Sequence, residues 1–201
     1  MWSYARPAAL IEVEAALDEK NTISAWDFTN YNSGGSAIGT PYRTVNSRIR
    51  YLPSDSPLRQ GSYRALASAA NNFARECLVD ELAAAAHSDP LAFRLAHLEN
   101  HRIREVLIAA TRKFGWEERS KMRRPNRGVG LACGTEKNSV VAACVEVEVD
   151  AKTKMPKLLE ICEAYECGAV LNPANLRAQV EGCIVMGLGA VLREQLLFEN
   201  G

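Results

Sequence analysis

Residues 141–150 read Val-Ala-Ala-Cys-Val-Glu-Val-Glu-Val-Asp, and within them Val145, Val147 and Val149 alternate with Glu146, Glu148 and Asp150. Successive side chains of an extended strand project to opposite faces, so an alternation this regular marks a half-buried strand. Residues 151–157 are turn-like, and the run 158–167 completes an antiparallel β-hairpin.

The chain ahead of this hairpin has a different period. Residues 73–87 (FARECLVDELAAAAH) are rich in helix formers, and Phe73, Cys77, Leu78, Leu82 and Ala85 share one side of a 3.6-residue repeat. Ser88-Asp89-Pro90 ends that helix and starts another, since Asp89 suits an N-cap and Pro90 the first helical position. The second helix runs to about residue 100, and a third near 103–114 turns Ile103, Val106, Leu107, Ala110 and Phe114 inward. All three read as packing elements. Nearer the N-terminus, residues 9–17 alternate, residues 18–21 form a turn, and residues 22–28 return as the second strand of another β-hairpin. A helical segment followed by an antiparallel β-hairpin and a C-terminal helix is an α+β arrangement, not a wound parallel sheet. It divides into residues 1–120 and 121–201.

Composition narrows the function classes. Twenty-four basic residues balance twenty-four acidic ones, so no net field draws the chain to nucleic acid or to an anionic membrane. The longest mainly apolar run, 183–192, is too short to insert into a membrane, and residues 1–30 lack a signal-peptide pattern. Six cysteines show no CxxC and no zinc spacing, so no metal ligands are assigned. Cys162 and Cys167 have the C-x4-C spacing of an iron–sulfur motif, but the next cysteine is missing, and mostly buried free thiols are expected. Gly34-Gly35 sits in a loop-like stretch without the Gly-Lys-Ser/Thr of a phosphate-binding loop. The basic run 120–127 (SKMRRPNR) reads as a solvated connection, with a docking patch for a partner subunit as the alternative.

Residues 167–194 are the least ordinary segment. Asn172-Pro173 caps and opens a helix in which Leu176, Val180, Cys183, Gly187 and Val191 cluster on one face. Gln179 falls on the flank of that face, where a half-buried amide needs a partner for both its donor and its acceptor. Glycines at 182, 187 and 189 each cost a helix roughly 1 kcal/mol relative to alanine. Close approach of a backbone or of a large cofactor is the usual reason such glycines are tolerated.

The stretch CGAVLNPANLRAQVEG, followed by MGLGAVLRE, resembles the cofactor-proximal segment of molybdopterin-binding large subunits of the xanthine dehydrogenase/aldehyde oxidase family. There, a glutamine in a Gln-x-Glu-Gly motif hydrogen-bonds the pterin. Gln179-Val180-Glu181-Gly182 matches it, which makes Gln179 and Gly182 cofactor-binding candidates. Residues 57–64 and then 73–98 resemble the segment in which an arginine near the cofactor, here Arg64, precedes an Asp-Glu-Leu-Ala helix. Many relatives carry glycines after that arginine, whereas this chain has Ala65, Leu66 and Ala67, which argues against direct backbone contact. The passage from the helices to Gly128-Val129-Gly130-Leu131-Ala132 looks most like the isoquinoline 1-oxidoreductase and membrane-bound aldehyde dehydrogenase branch.

The resemblance implies part of a larger molybdopterin-binding domain in a bacterial molybdenum hydroxylase. Its cofactor would be molybdenum-molybdopterin in the cytosine dinucleotide form. It further implies iron–sulfur clusters on a small partner subunit, a cytochrome or flavin electron acceptor, and a small-molecule substrate hydroxylated with water as the oxygen source. Localisation is left between cytoplasm and periplasm. Family members are longer, and the catalytic Gly-x-Gly-Glu segment is expected beyond Gly201, so no catalytic residue is assigned here and the fragment alone is expected to be inactive. Glu181 projects away from the glutamine flank and does not match the family's general base. Glu136, Lys137 and Ser139 recur in look-alike sequences and are candidates to contact the cofactor tail, against the favoured, plainer reading of strand entry. The competing class is a structural or interaction domain that keeps the fold without the cofactor.

Overall fold

The computed structural model describes residues 4–56, 59–195 and 197, which divide by packing after Glu166 into two units. In the first unit, β1 (Leu10–Leu17) and β2 (Ile23–Tyr31) form the expected hairpin. Asp18 Oδ1 closes its turn by accepting from the N–H groups of Lys20 and Thr22 at 2.9 and 2.8 Å. The register places Val13 opposite Phe28 and Ala15 opposite Trp26, so half-buried β1 residues share a face with buried β2 residues. A third strand not foreseen from the sequence, β3 (Asn46–Leu52), runs parallel to β2 at the sheet edge and is exposed throughout.

The helix α1 (Ser68–Ala85) begins five residues before Phe73 and turns a different face inward from the one its apolar residues suggest. Asn71, Arg75, Glu76, Val79, Leu82 and Ala83 are buried, while Phe73 is 73% exposed and Cys77 is also exposed. The reason is electrostatic. The Glu76 carboxylate accepts from Tyr42 Oη at 3.0 Å, Arg75 Nε at 3.3 Å, Arg94 Nε at 3.1 Å and the Cys133 backbone N–H at 3.1 Å. Arg94 also binds Asp80 at 2.6 Å, and Arg75 donates to the carbonyls of Ala37 and Gly39 at 3.1 and 3.0 Å.

The next helices follow their local signals. Asp89 caps α2 (Pro90–His97) by accepting from Leu91 and Ala92, and Asn100 caps α3 (His101–Phe114) by accepting from Arg102 and Ile103. Gly115, at φ 75°, ends α3 in the left-handed conformation that glycine favours and leads into the short α4 (Trp116–Arg119). All five inward residues named for the third helix are buried.

A second sheet comprises β4 (Arg127–Glu136), β5 (Ser139–Val149) and β6 (Pro156–Glu166), antiparallel in that order. Its more buried face carries Leu131, Cys133, Val140, Ala142 and Cys144 and shares the core with Ile103, Leu107 and Phe114 of α3. Glu146 lies on that same face and is buried, whereas Val145 and Val147 occupy the less buried side. The alternation is therefore real, and the side that packs is the one bearing the carboxylate. Burial raises the Cys133 and Cys144 thiols to about 12, so both stay protonated, while Cys77 and Cys183 are exposed rather than buried.

The second unit contains α5 (Pro173–Leu192). The fold is α+β, as the sequence indicates, with the addition of a first sheet that includes one parallel pair. Removing one partner from a buried ion cluster leaves the others uncompensated. Glu76→Gln is expected to lower unfolding free energy by about 3–5 kcal/mol, read as a fall in the urea midpoint at pH 7 with little change in slope.

Candidate functional site

The N-terminus of α5 forms as the sequence predicts. The Asn172 side chain accepts from the Asn175 N–H at 3.0 Å, and Pro173 occupies the first turn. Gln179 follows two turns later, and its Nε2 reaches Cys183 Sγ at 3.6 Å. The side chain is exposed rather than half-buried. The half-buried positions are Leu176, Val180, Ile184, Leu188 and Leu192, spaced four apart, together with Gly189, while Cys183, Gly187 and Val191 are exposed.

Gln179, Gly182, Cys183 and Met186 therefore share one exposed stripe, since residues three, four and seven apart lie above one another on a helix. A Cβ added at Gly182 or Gly187 would meet nothing within 4 Å. No neighbouring backbone within the described unit accounts for these glycines. The stripe offers one amide, with both donor and acceptor capacity, beside a stretch of helix bare of side chain.

Arg64 lies in the first unit, and Pro57 and Leu58 of its motif lie outside the described residues. Its carbonyl accepts from Arg6 Nη1 at 2.9 Å, and the Arg6 guanidinium stacks 4.5 Å from the centre of the Tyr63 ring. Arg64 itself is exposed. Ala65 and Leu66 follow at φ 71° and 49°, both in the left-handed region. They thus adopt, with side chains present, the backbone conformation that glycine would take without penalty. Leu66 N–H donates to Tyr63 O at 2.8 Å and Ser68 N–H to Ala65 O at 2.9 Å, which hold the turn.

The other sequence candidates have structural roles. Lys137 and Asn138, at φ 47° and 66°, make the two-residue turn between β4 and β5, and Glu136 pairs with Ser139 to close it. In the Gly34-Gly35 loop the carbonyls of Gly34 and Ser36 accept from Asn71 Nδ2 at 3.1 and 2.9 Å. That loop is fastened to α1.

Sequence reasoning missed Glu163. It pairs with Ala143 on β5, which in turn pairs with Ala132, and Val145 and Ile161 lie next along the same face. It lines a cavity of about 430 Å3 with Asn72, Phe73 and Cys77 of α1. Burial pushes its carboxyl above the ordinary value of 4.5. The signal was a lone acid among apolar residues of the same strand parity, Ile161 and Tyr165, but alternation does not say which parity is covered.

Residues 69–201 match the molybdopterin cofactor-binding domain family. The chain belongs to that family. A nicotinate dehydrogenase subunit of Pseudomonas putida is 25% identical to this family member over 100% of the chain and 20% of its own length. The beta subunit of isoquinoline 1-oxidoreductase from Brevundimonas diminuta is 32% identical over 69% of the chain and 18% of its own length. The chain thus spans about a fifth of the length of these relatives. The aldehyde oxidoreductase of Desulfovibrio gigas shares the fold, with a TM-score of 0.52 and 17% identity over 76% of this chain and 21% of that one.

Two outcomes follow for this molybdopterin-family chain. Ala65→Gly is expected to raise stability by about 1 kcal/mol, because relief of left-handed strain exceeds glycine's added unfolded-state entropy; an unchanged or lower thermal midpoint counts against a strained turn. Glu163 has a folded-state pKa above its unfolded one, so the stability it contributes is present below pH 4.5 and is lost as pH rises through the folded value. Glu163→Gln should therefore stabilise the chain at pH 7, with the gain disappearing below about pH 4, as read from denaturation midpoints at the two pH values.

Proposed function

We propose that this chain is part of a molybdenum hydroxylase large subunit, with residues 1–120 and 121–201 as two parts of its molybdopterin-binding domain. The observation that carries the reading is the exposed Gln179 amide beside the bare Gly182 turn of α5. Its only described hydrogen-bond partner is a weak thiol acceptor, Cys183. A pterin edge presents alternating donors and acceptors, which one carboxamide complements with both of its groups. The donor set therefore fits the cofactor.

Gln179 would hold the pterin edge, and Gly182 would admit the ring close to the helix backbone. Arg64 supplies a charged donor for the cofactor's anionic part, matching the motif position it occupies. The turn after it keeps the left-handed backbone despite Ala65 and Leu66, so the conformation that glycines would give is available here. When bound, the cofactor supplies a redox-active metal that activates water toward an electron-poor carbon.

In this reading the substrate is an aldehyde or an N-heterocycle, as the names of the relatives suggest. The cofactor is the cytosine dinucleotide form, and electrons leave through iron–sulfur clusters on a small partner subunit toward a cytochrome or flavin acceptor. The test is Gln179→Ala in the intact large subunit, with molybdenum per subunit measured by elemental analysis. Loss of a bidentate amide contact should reduce retained metal and activity together, on the order of tenfold. Unchanged values for both remove Gln179 from the site.

A further inference from the structure

Between α4 and the start of β4 lies a half-open cavity of about 560 Å3, lined mostly by exposed residues. Its lining carries four arginines, Arg119, Arg123, Arg124 and Arg127, against one carboxylate, Glu146. Glu146 is 7% exposed and accepts from Arg119 Nη1 at 2.8 Å and Arg124 Nη1 at 3.1 Å, with Arg127 Nη1 at 3.9 Å. Outside the lining, Glu160 binds Arg119 at 2.7 Å and Glu148 binds Arg127 at 3.0 Å. Lys121 of the same connection is paired with Glu117 at 3.3 Å.

Three carboxylates thus answer three of the four arginines. The residual positive charge is Arg123, which has no ion-pair or hydrogen-bond partner among the described residues. A guanidinium carries five N–H donors. The contacts to Glu146, Glu148 and Glu160 run through one or two terminal nitrogens of each arginine, so further donors remain for a ligand. The rest of the lining is uncharged. Met122, Pro125 and Val129 supply apolar surface, and a Cβ added at Gly128 would meet nothing within 4 Å.

We propose that this cavity binds an organic phosphate. Arg123 and the free N–H groups of Arg119 and Arg124 take the phosphoryl oxygens, for which guanidinium geometry is suited. Met122, Pro125 and the open floor at Gly128 receive the attached organic body. Glu146 is the positioning residue, because it holds the guanidiniums before the ligand arrives and so reduces the ordering cost of binding. The inference does not rest on the reading of Gln179.

The test uses ADP as the probe, titrated calorimetrically into the chain in low-salt buffer without divalent metal. Saturable one-to-one binding is expected, with inorganic pyrophosphate weaker and adenosine without measurable affinity. Arg123→Ala should weaken ADP about tenfold by removing a charged hydrogen bond, at an unchanged thermal midpoint because Arg123 holds nothing else. Lys121→Ala, a charge loss in the same connection but outside the cavity, should change affinity by less than about twofold. Absence of ADP binding at millimolar concentration overturns the proposal. So does equal weakening by the two variants, or adenosine binding as tightly as ADP.

Discussion

The first unit is organised around one carboxylate. Glu76 is almost fully buried, and so are the two arginines that meet it. An isolated charge in such a place costs several kcal/mol, so every donor it collects is a condition on the fold. Tyr42 comes from the loop after β2, Arg94 from α2 and the Cys133 N–H from β4. One side chain thereby ties the first sheet's loop, two helices and the second sheet to one relative arrangement. Turning α1 by a single residue, about 100°, would strand all of these groups.

This explains which parts of the fold were legible in the sequence. The hairpin at residues 10–31, the caps at Asp89, Asn100 and Asn172, and the inward face of α3 depend on neighbours in sequence, and local patterns report them. The inward face of α1 depends on Tyr42, Arg94 and Cys133, which are distant in sequence. Counting apolar residues therefore selected Phe73 and Cys77, which solvent reaches, over Arg75 and Glu76. β3 was missed for a related reason. It is an exposed edge strand in parallel pairing, and its arginines bond to Asp27 Oδ2 and Thr29 of β2 instead of facing a core.

The candidate site divides along the same line. The Gln179 motif and its helix cap lie in one short segment, so both the residue and its helix were readable, but its degree of exposure was not. A helix with five half-buried leucine, valine and isoleucine positions at spacing four has its own narrow apolar seam, and Gln179 lies off it. Arg64 was readable only as a motif position. The backbone after it shows that Ala65 and Leu66 replace glycine in residue type without replacing its conformation, a distinction that dihedral angles carry and residue letters do not.

Glu76 and Glu146 make the same use of a buried carboxylate with different results. Each gathers arginines from separate elements. Around Glu76 the charges are matched: Arg75 and Arg94 direct their remaining donors to Asp80, to backbone carbonyls and to Asn72, and no charge is left over. Around Glu146 they are not, because Arg123 is left without a counter-charge in a cavity large enough for a ligand. A saturated cluster can only hold a fold together. An unsaturated one, held open by its own carboxylate, presents pre-arranged donors to whatever anion can reach it, and this difference in satisfaction is what separates scaffold from binding site in this chain.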